Sequence, residues 1–294
     1  MDLTSRPASL SRRDPDRWLV VAAAMAACLV PTLMAFNLAP SATFLNQAAA
    51  LIGWGMFLLT IRLLAPAPVP RRGGVGVLAA ALLLLAAAAA ASWAWAALPS
   101  GLALSSIGMV AAALLTVLVA AAATRAGHAE LAFHALCVAL VAAGVLSVIV
   151  SVVQVYVPDA AGGEWIAATA LEGRATGNLR QPNHLSSLLL WSFIAAVWLA
   201  EAGFLRRDLA AVLGAALVFG LVLSASRTGI VGVVVLALWG LLDRRLSGPG
   251  RRLLIAAPLA YVAFWAGLAG WAHLHQQTFA GEARITADGD ISSS

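Results

Sequence analysis

The sequence contains no lysine, and only 11% of its 294 residues are charged. Its basic residues are 18 arginines, which outnumber 13 acids and give a formal net charge of +5. Hydrophobic residues make up 62% of the chain, with a mean hydropathy of +0.92, whereas a soluble domain is about 45–50% apolar. This shortage of charge excludes an ordinary soluble protein and predicts an integral membrane protein.

Other shortages narrow the possible functions. The two cysteines, Cys28 and Cys137, lie in separate apolar runs without a metal-ligand spacing, so we interpret both as buried apolar side chains. All 13 acids lie in predicted loops or at span ends, whereas ion-coupled transporters usually place a carboxylate within the membrane. The sequence also shows neither a nucleotide-binding glycine loop nor an Asp-rich metal motif. These absences disfavour coupled transport and sugar-nucleotide chemistry.

Long apolar runs dominate the chain. A membrane-spanning helix needs about 20 mostly apolar residues, and nine stretches approach or meet that length. They cover residues 18–36, 44–63, 75–97, 102–124, 131–157, 185–200, 209–224, 229–242 and 253–271. We therefore predict an all-α polytopic membrane protein with about nine transmembrane helices.

The arginines predict the orientation of these spans. With the N-terminus in the cytoplasm, 14 of the 18 arginines fall on the cytoplasmic side, as the positive-inside rule requires. The predicted organisation is then a cytoplasmic tail at residues 1–17 and a membrane domain at residues 18–272. That domain includes an external loop at 158–183, and residues 273–294 are the start of a truncated external periplasmic loop.

Four arginines fall on the predicted outer side: Arg174, Arg180, Arg227 and Arg284. The planar guanidinium offers a fork of N–H donors that suits phosphate, so a pocket with two or three of them could hold a diphosphate. The alternative is that each arginine is solvated or pairs with a nearby acid such as Glu172. Taken one at a time, these arginines favour the second interpretation.

The segment RQPNH combines helix-start signals with polar side chains. Pro182 disfavours a helical conformation at Gln181 and is tolerated in a first helical turn, so Pro182 or Asn183 should open the sixth span. The N–H groups of a helix start favour an anion. The alternative is that Asn183 only caps the helix and that His184 is a hydrogen-bonded residue of its first turn.

The polar segment 273–294 begins with the spacing HLH. His273 and His275 could contribute to a metal site, but no third ligand lies nearby, so no metal is predicted. The segment ends on three serines without a closing helix. We expect it to be the start of a larger external loop that has been cut off.

Two motifs carry a resemblance to a known family. RATGNLRQPNH at residues 174–184, followed by an apolar helix, resembles the signature of bacterial protein O-oligosaccharyltransferases, or pilin glycosylation ligases. LSASRTG at 223–229 is similar to the motif that opens the domain shared with O-antigen ligases and polymerases. In motif, the resemblance covers only these two short segments. In topology it covers most of the chain, which would correspond to the N-terminal part of a family member.

The resemblance implies a glycosyltransferase of the bacterial inner membrane, active at the periplasmic face, with about twelve spans of about 20 residues. It would transfer an oligosaccharide from undecaprenyl diphosphate to a Ser or Thr hydroxyl of a pilin or periplasmic protein, without a metal or other cofactor. Transferring the family's site residues to the matching positions implies that Arg174, Arg227 and Gln181 are catalytic. It also implies that the substrate-binding residues are Asn183, His184 and Arg180. The two arginines at positions 174 and 227 would stabilise the leaving diphosphate.

The chain departs from the family in one respect. The expected general base is a histidine on a large external loop beyond the ninth span, and the sequence ends before that loop. We therefore expect an incomplete fragment with little or no transfer activity of its own. The alternatives are an O-antigen ligase that uses lipid A-core as acceptor, an O-antigen polymerase, a transporter or flippase, and a membrane scaffold.

Overall fold

A computed structural model of the chain describes residues 15–36, 43–64, 74–96, 99–169, 173–275 and 279. These residues form nine α-helices and one short 3-10 turn, and no strand occurs among them. The helices are α1 (Pro15–Leu33), α2 (Phe44–Leu64), α3 (Gly74–Ala96), α4 (Ser100–Arg125), α5 (Ala129–Tyr156), α6 (Pro182–Glu201), α7 (Arg207–Ser224), α8 (Arg227–Leu242) and α9 (Gly248–His275).

Eight of these helices are long and apolar enough to cross a membrane. The remaining helix, α8, has 16 residues and is therefore about 24 Å long at about 1.5 Å per residue. The prediction of an all-α polytopic membrane protein is confirmed. The polar tails at 1–14 and 280–294, with Arg284, and the loop acid Glu172 lie outside the described residues.

The chain divides into two compact units. Among the described residues, the first unit contains residues 24–54 and those from 135 onward, so it holds α6 to α9 and most of α5. The second contains residues 15–23 and 55–134, including α3 and α4. Both predicted motifs fall in the first unit.

Small residues let the helices of the first unit approach closely. A Cβ added at Gly220 of α7 would lie 2.7 Å from Cγ2 of Val148 on α5, and one at Gly144 would lie 2.6 Å from Cβ of Ser192 on α6. Ser192 also donates its hydroxyl to the carbonyl of Leu140 at 2.7 Å. Close packing and interhelical hydrogen bonds stabilise helices in lipid, where the hydrophobic effect does not drive their association.

The second unit exposes most of its apolar surface. None of the described side chains of α3 is buried, although this helix has the alanine- and leucine-rich composition of a membrane span. α3 packs against α4, in which Ala103, Val119, Ala122 and Ala123 are buried. A helix that exposes apolar side chains over so much of its surface is stable in a lipid environment, whereas exposing the same surface to water costs free energy.

Candidate functional site

The two sequence motifs, 50 residues apart, meet through main-chain contacts. The backbone N–H of Ala175 donates to the carbonyl of Leu223 at 2.9 Å. Nε of the half-buried Arg174 donates to the carbonyl of Ser224 at 2.8 Å. Leu223 and Ser224 end α7, where carbonyls lack intrahelical partners and a positive charge is favoured. The loop at 173–181 is therefore bonded directly to the turn between α7 and α8.

The α7–α8 turn is short and tightly held. Ala225 adopts a left-handed conformation with φ 46° and ψ 38°, and its N–H donates to the carbonyl of Val222 at 3.0 Å. Ser226 then precedes the first residue of α8 with φ −95°. A left-handed alanine costs roughly 1–2 kcal/mol, so the surrounding contacts must stabilise it. The turn places the exposed Arg227 at the start of α8.

The start of α6 is tied to the same turn. Ser226 donates its hydroxyl to Oδ1 of Asn183 at 2.7 Å. The hydroxyls of Ser186 and Ser224 lie 3.2 Å apart, and both residues are fully buried. These contacts hold the first turns of α6 and α8 side by side, at the end of the bundle that also carries Arg174. We call this end the site end.

Two helix N-termini at one place create a local positive potential. In α6, Leu185 makes the first intrahelical bond, to Gln181 at 3.0 Å, and α8 begins with the bond from Ile230 to Ser226 at 3.3 Å. The N–H groups that precede these bonds have no carbonyl partner within their own helix. Partial positive charges of this kind, beside the two arginines, favour an anionic ligand.

Two buried amide side chains hold the loop in place. Oε1 of Gln154 accepts from the N–H groups of Thr176 at 3.1 Å and Gly177 at 2.9 Å. Its Nε2 donates to the carbonyls of Ala167 at 2.7 Å and Gly177 at 3.2 Å. Gln154 is only 2% exposed, so its amide replaces the water that these backbone groups would otherwise bind.

Asn178 is the second buried amide and is also 2% exposed. Its Oδ1 accepts from the N–H of Ala167 at 3.0 Å. Its Nδ2 donates to the carbonyls of Trp165 at 2.8 Å and Leu33 at 2.6 Å. The loop between α5 and α6 is thereby attached both to itself and to the end of α1.

Arg180 occupies a different position from Arg174. Its backbone is left-handed with φ 58°, and its Nη2 donates to the carbonyl of Ala35. Its Nε is buried without a hydrogen-bond partner among the described residues. Arg180 lines a cavity of about 400 Å³ together with Ala35, Phe36, Gly162, Gly163, Glu164, Ala167 and Ala168. Because Arg180 and Glu164 both line this cavity, it offers N–H donors and a carboxylate acceptor to a polar ligand such as a sugar hydroxyl.

The structure brings together three of the six predicted site residues. Arg174, Asn183 and Arg227 all lie at the α7–α8 turn. Gln181 precedes α6 in an extended conformation and is exposed, as is His184 in the first turn of that helix. Arg180 faces the separate cavity.

The spacing HLH at residues 273–275 could contribute two ligands to a metal site. His273 and His275 lie in the final turn of α9, and Nδ1 of His275 is 2.9 Å from the carbonyl of Trp271. The ring of His275 stacks on that of Trp271 with their centroids 4.8 Å apart. Within the part of the chain that the structure describes, no three His, Cys, Asp or Glu residues form a metal-binding group.

Five buried polar residues near the site were not predicted from the sequence: Gln154, Asn178 and the serines at 186, 224 and 226. Gln154 carried a detectable signal, because an amide in the apolar run SVVQVY is unusual for a span. Asn178 lies inside the quoted motif, but its neighbours gave no reason to expect three backbone partners. The serines are too common at helix ends to be distinguished by type alone.

Comparison with known proteins adds one finding. A family model of protein glycosylation ligases matches residues 175–200. The match contains Arg180, Gln181, Asn183 and His184, and it begins directly after Arg174. No curated protein and no solved structure matches the chain. The similarity thus covers the end of the loop between α5 and α6 and nearly all of α6.

Proposed function

We propose that the site end binds a lipid-linked diphosphate glycan and that this protein takes part in its transfer to a protein hydroxyl. The observation that carries the proposal is the junction of the two motifs, in which Arg174 contacts the turn that presents Arg227. The match to protein glycosylation ligases supports the reaction class. The donor consistent with that class in a bacterial inner membrane is an undecaprenyl diphosphate, bound at the periplasmic face.

The arginines have a defined role in this proposal. During transfer, the bond between the sugar anomeric carbon and the diphosphate oxygen breaks, a bond to the acceptor oxygen forms, and the hydroxyl proton is released. Negative charge accumulates on the departing diphosphate. Arg174, Arg227 and the paired helix starts would stabilise that charge more than the charge of the bound donor, which accelerates the reaction.

The other predicted residues would act around the diphosphate. Gln181 and His184 are exposed at the start of α6 and could contact the acceptor or the first sugar. The cavity lined by Arg180 and Glu164 offers both donors and acceptors for sugar hydroxyls. The chemistry proposed for these residues needs no metal ion.

Two neighbouring functions share this mechanism. An O-antigen ligase would use lipid A-core as the acceptor, and a polymerase would use a second lipid-linked glycan. The match to protein glycosylation ligases favours a protein acceptor. A transporter or flippase is less well supported, because the acids of the described helices lie near the helix ends. They are Asp16, Glu130, Glu201 and Asp208.

Donor binding by the 294-residue chain tests the proposal directly. The purified protein in lipid nanodiscs is titrated with a polyprenyl diphosphate-linked oligosaccharide, and the dissociation constant is measured for wild type, Arg227→Ala and Arg174→Ala. A hydrogen bond to a charged group contributes about 1.5–3 kcal/mol, so each variant should bind about 10- to 100-fold more weakly.

Arg244→Ala is the matched control, because Arg244 is exposed beyond the opposite end of the same helix, α8. It should bind the donor like wild type. Arg174→Lys separates charge from geometry, since lysine keeps the charge and loses the planar fork. Unchanged donor binding by both Arg174→Ala and Arg227→Ala would remove these residues from the site and refute the proposal.

A further inference from the structure

A crevice lined by two arginines lies at the opposite end of the first unit from the site end. It has a volume of about 360 Å³ and lies where α6 ends and where α7 and α9 begin. Its lining residues are Ala200, Glu201, Arg207, Ala210, Ala211, Pro249, Gly250, Arg252 and Leu253. Most of this lining is apolar, and two exposed arginines lie among the apolar residues.

The arginines of this end differ in their contacts. Arg206 forms an ion pair with Asp208 at 2.8 Å. Arg251 donates to the carbonyls of Gly240 at 2.9 Å and Leu241 at 3.1 Å. Both guanidinium groups are therefore engaged with the protein itself. Arg207 and Arg252 line the crevice, and Nε of Arg252 also donates to the carbonyl of Gly248 at 3.4 Å.

Glu201 is the acidic residue among those that line the crevice. Its carboxylate accepts from the backbone N–H of Ser247 at 2.8 Å and from the hydroxyl of Ser247 at 2.5 Å. These bonds attach the end of α6 to the residue that precedes α9. The carboxylate is thus engaged by Ser247, and with one acid against two arginines the formal charge of the lining is positive.

We infer that this crevice binds the phosphate headgroup of an anionic phospholipid, with Arg207 and Arg252 as its phosphate ligands. Guanidinium groups bind phosphate oxygens through their forked donors. Basic pockets between membrane helices are known sites for acidic headgroups. The alanines and Leu253 provide an apolar wall for the attached acyl chain, which a free phosphate ion would not use.

This inference is independent of the proposed glycan transfer, because it concerns other residues at the other end of the helices. The test uses native mass spectrometry of the purified chain with phosphatidylglycerol, and with phosphatidylcholine of the same acyl chains. The variants are the double substitution Arg207→Gln/Arg252→Gln and the control Arg206→Gln/Arg244→Gln. The control removes the same charge from the same end and leaves the crevice intact.

We expect wild type and the control to retain phosphatidylglycerol in preference to phosphatidylcholine. The crevice variant should bind phosphatidylglycerol about 30-fold more weakly, which corresponds to about 1 kcal/mol for each arginine. Equal retention by the crevice variant and the control would overturn the inference. Equal retention of the two lipids by wild type would also overturn it.

A second variant tests the crevice without removing charge. Ala211→Leu places a larger side chain at an exposed lining position, keeps both arginines and preserves helix propensity. It should also lose phosphatidylglycerol, while its thermal unfolding without added lipid stays near that of wild type. A parallel titration with inorganic phosphate distinguishes the two possible sources of the anion. Stabilisation by phosphate alone equal to that by the lipid would overturn the assignment to a phospholipid.

Discussion

Replacing Gln154 by leucine should release the loop between α5 and α6 without unfolding the helices. The amide makes four hydrogen bonds to the backbone of Ala167, Thr176 and Gly177, at 2.7 to 3.2 Å. Leucine fills a similar volume but offers neither donor nor acceptor. Two N–H groups and two carbonyls would then lose a buried partner.

The magnitude follows from these four groups. Each unsatisfied buried polar group costs about 1–3 kcal/mol, so retaining the closed loop would cost roughly 4 kcal/mol or more. Opening the loop to water costs less, since its backbone groups then bind solvent. The expected result is therefore local opening rather than loss of the helical bundle.

Hydrogen–deuterium exchange measured by mass spectrometry is the assay. A loss of about 4 kcal/mol corresponds to an increase of about 10³ in the exchange rate of the Thr176 and Gly177 amides. Gln154→Glu should fall between wild type and leucine, because the carboxylate keeps both acceptor contacts and loses donors. Gln47→Leu is the control, since Gln47 is exposed and donates to the Thr43 hydroxyl at 3.2 Å.

Unchanged exchange at residues 175–178 in Gln154→Leu would refute this reasoning. It would mean that other contacts, such as that between Ala175 and Leu223, hold the loop by themselves. Hydrogen exchange that becomes uniformly faster along α6 to α8 would also contradict the expected local opening of the loop. The buried amide would then stabilise the whole first unit and not only the loop.

Further substitutions near the site test its local geometry. Gly177→Ala should lower the unfolding temperature, because Gly177 has φ +60° and an added Cβ would lie 3.2 Å from Cδ1 of Leu185, whereas Gly127→Ala adds a Cβ to open space at φ +76° and should cost less. A thermal-shift comparison of the two variants separates crowding from backbone strain. Asn183→Ala and Ser226→Ala should each weaken donor binding by loosening the α7–α8 turn. The double variant should bind no more weakly than the worse single one, because both remove the same 2.7 Å hydrogen bond; additive losses in a titration would contradict that.

Several features of the fold could be predicted because they depend on composition over long segments. The predicted spans overlap all nine helices, since a run of apolar residues near membrane length has few stable alternatives to a helix. The ends were less accurate: the eighth span was predicted from 229, whereas α8 begins at Arg227. A charged residue at a helix start cannot be distinguished from a loop residue by hydropathy alone.

The individual roles of the loop arginines could not be predicted in the same way. Arg174 and Arg180 lie in one short motif and have the same side chain. In the fold, Arg174 contacts the end of α7, whereas Arg180 reaches the carbonyl of Ala35 and lines a cavity. The two side chains have different contacts because their backbones differ. The left-handed backbone of Arg180 turns its side chain away from the direction that the preceding residues of the loop follow.

The sequence by itself determined that this chain is a helical membrane protein and which segments form its spans. Those properties follow from the length and polarity of local runs, which act on each helix separately. Only the tertiary structure decided that Arg174, Asn183 and Arg227 share one turn and that Gln154 holds the loop beside them. Hydrogen bonds between residues 22 to 50 positions apart depend on how the helices pack, and no local pattern of residues specifies that packing.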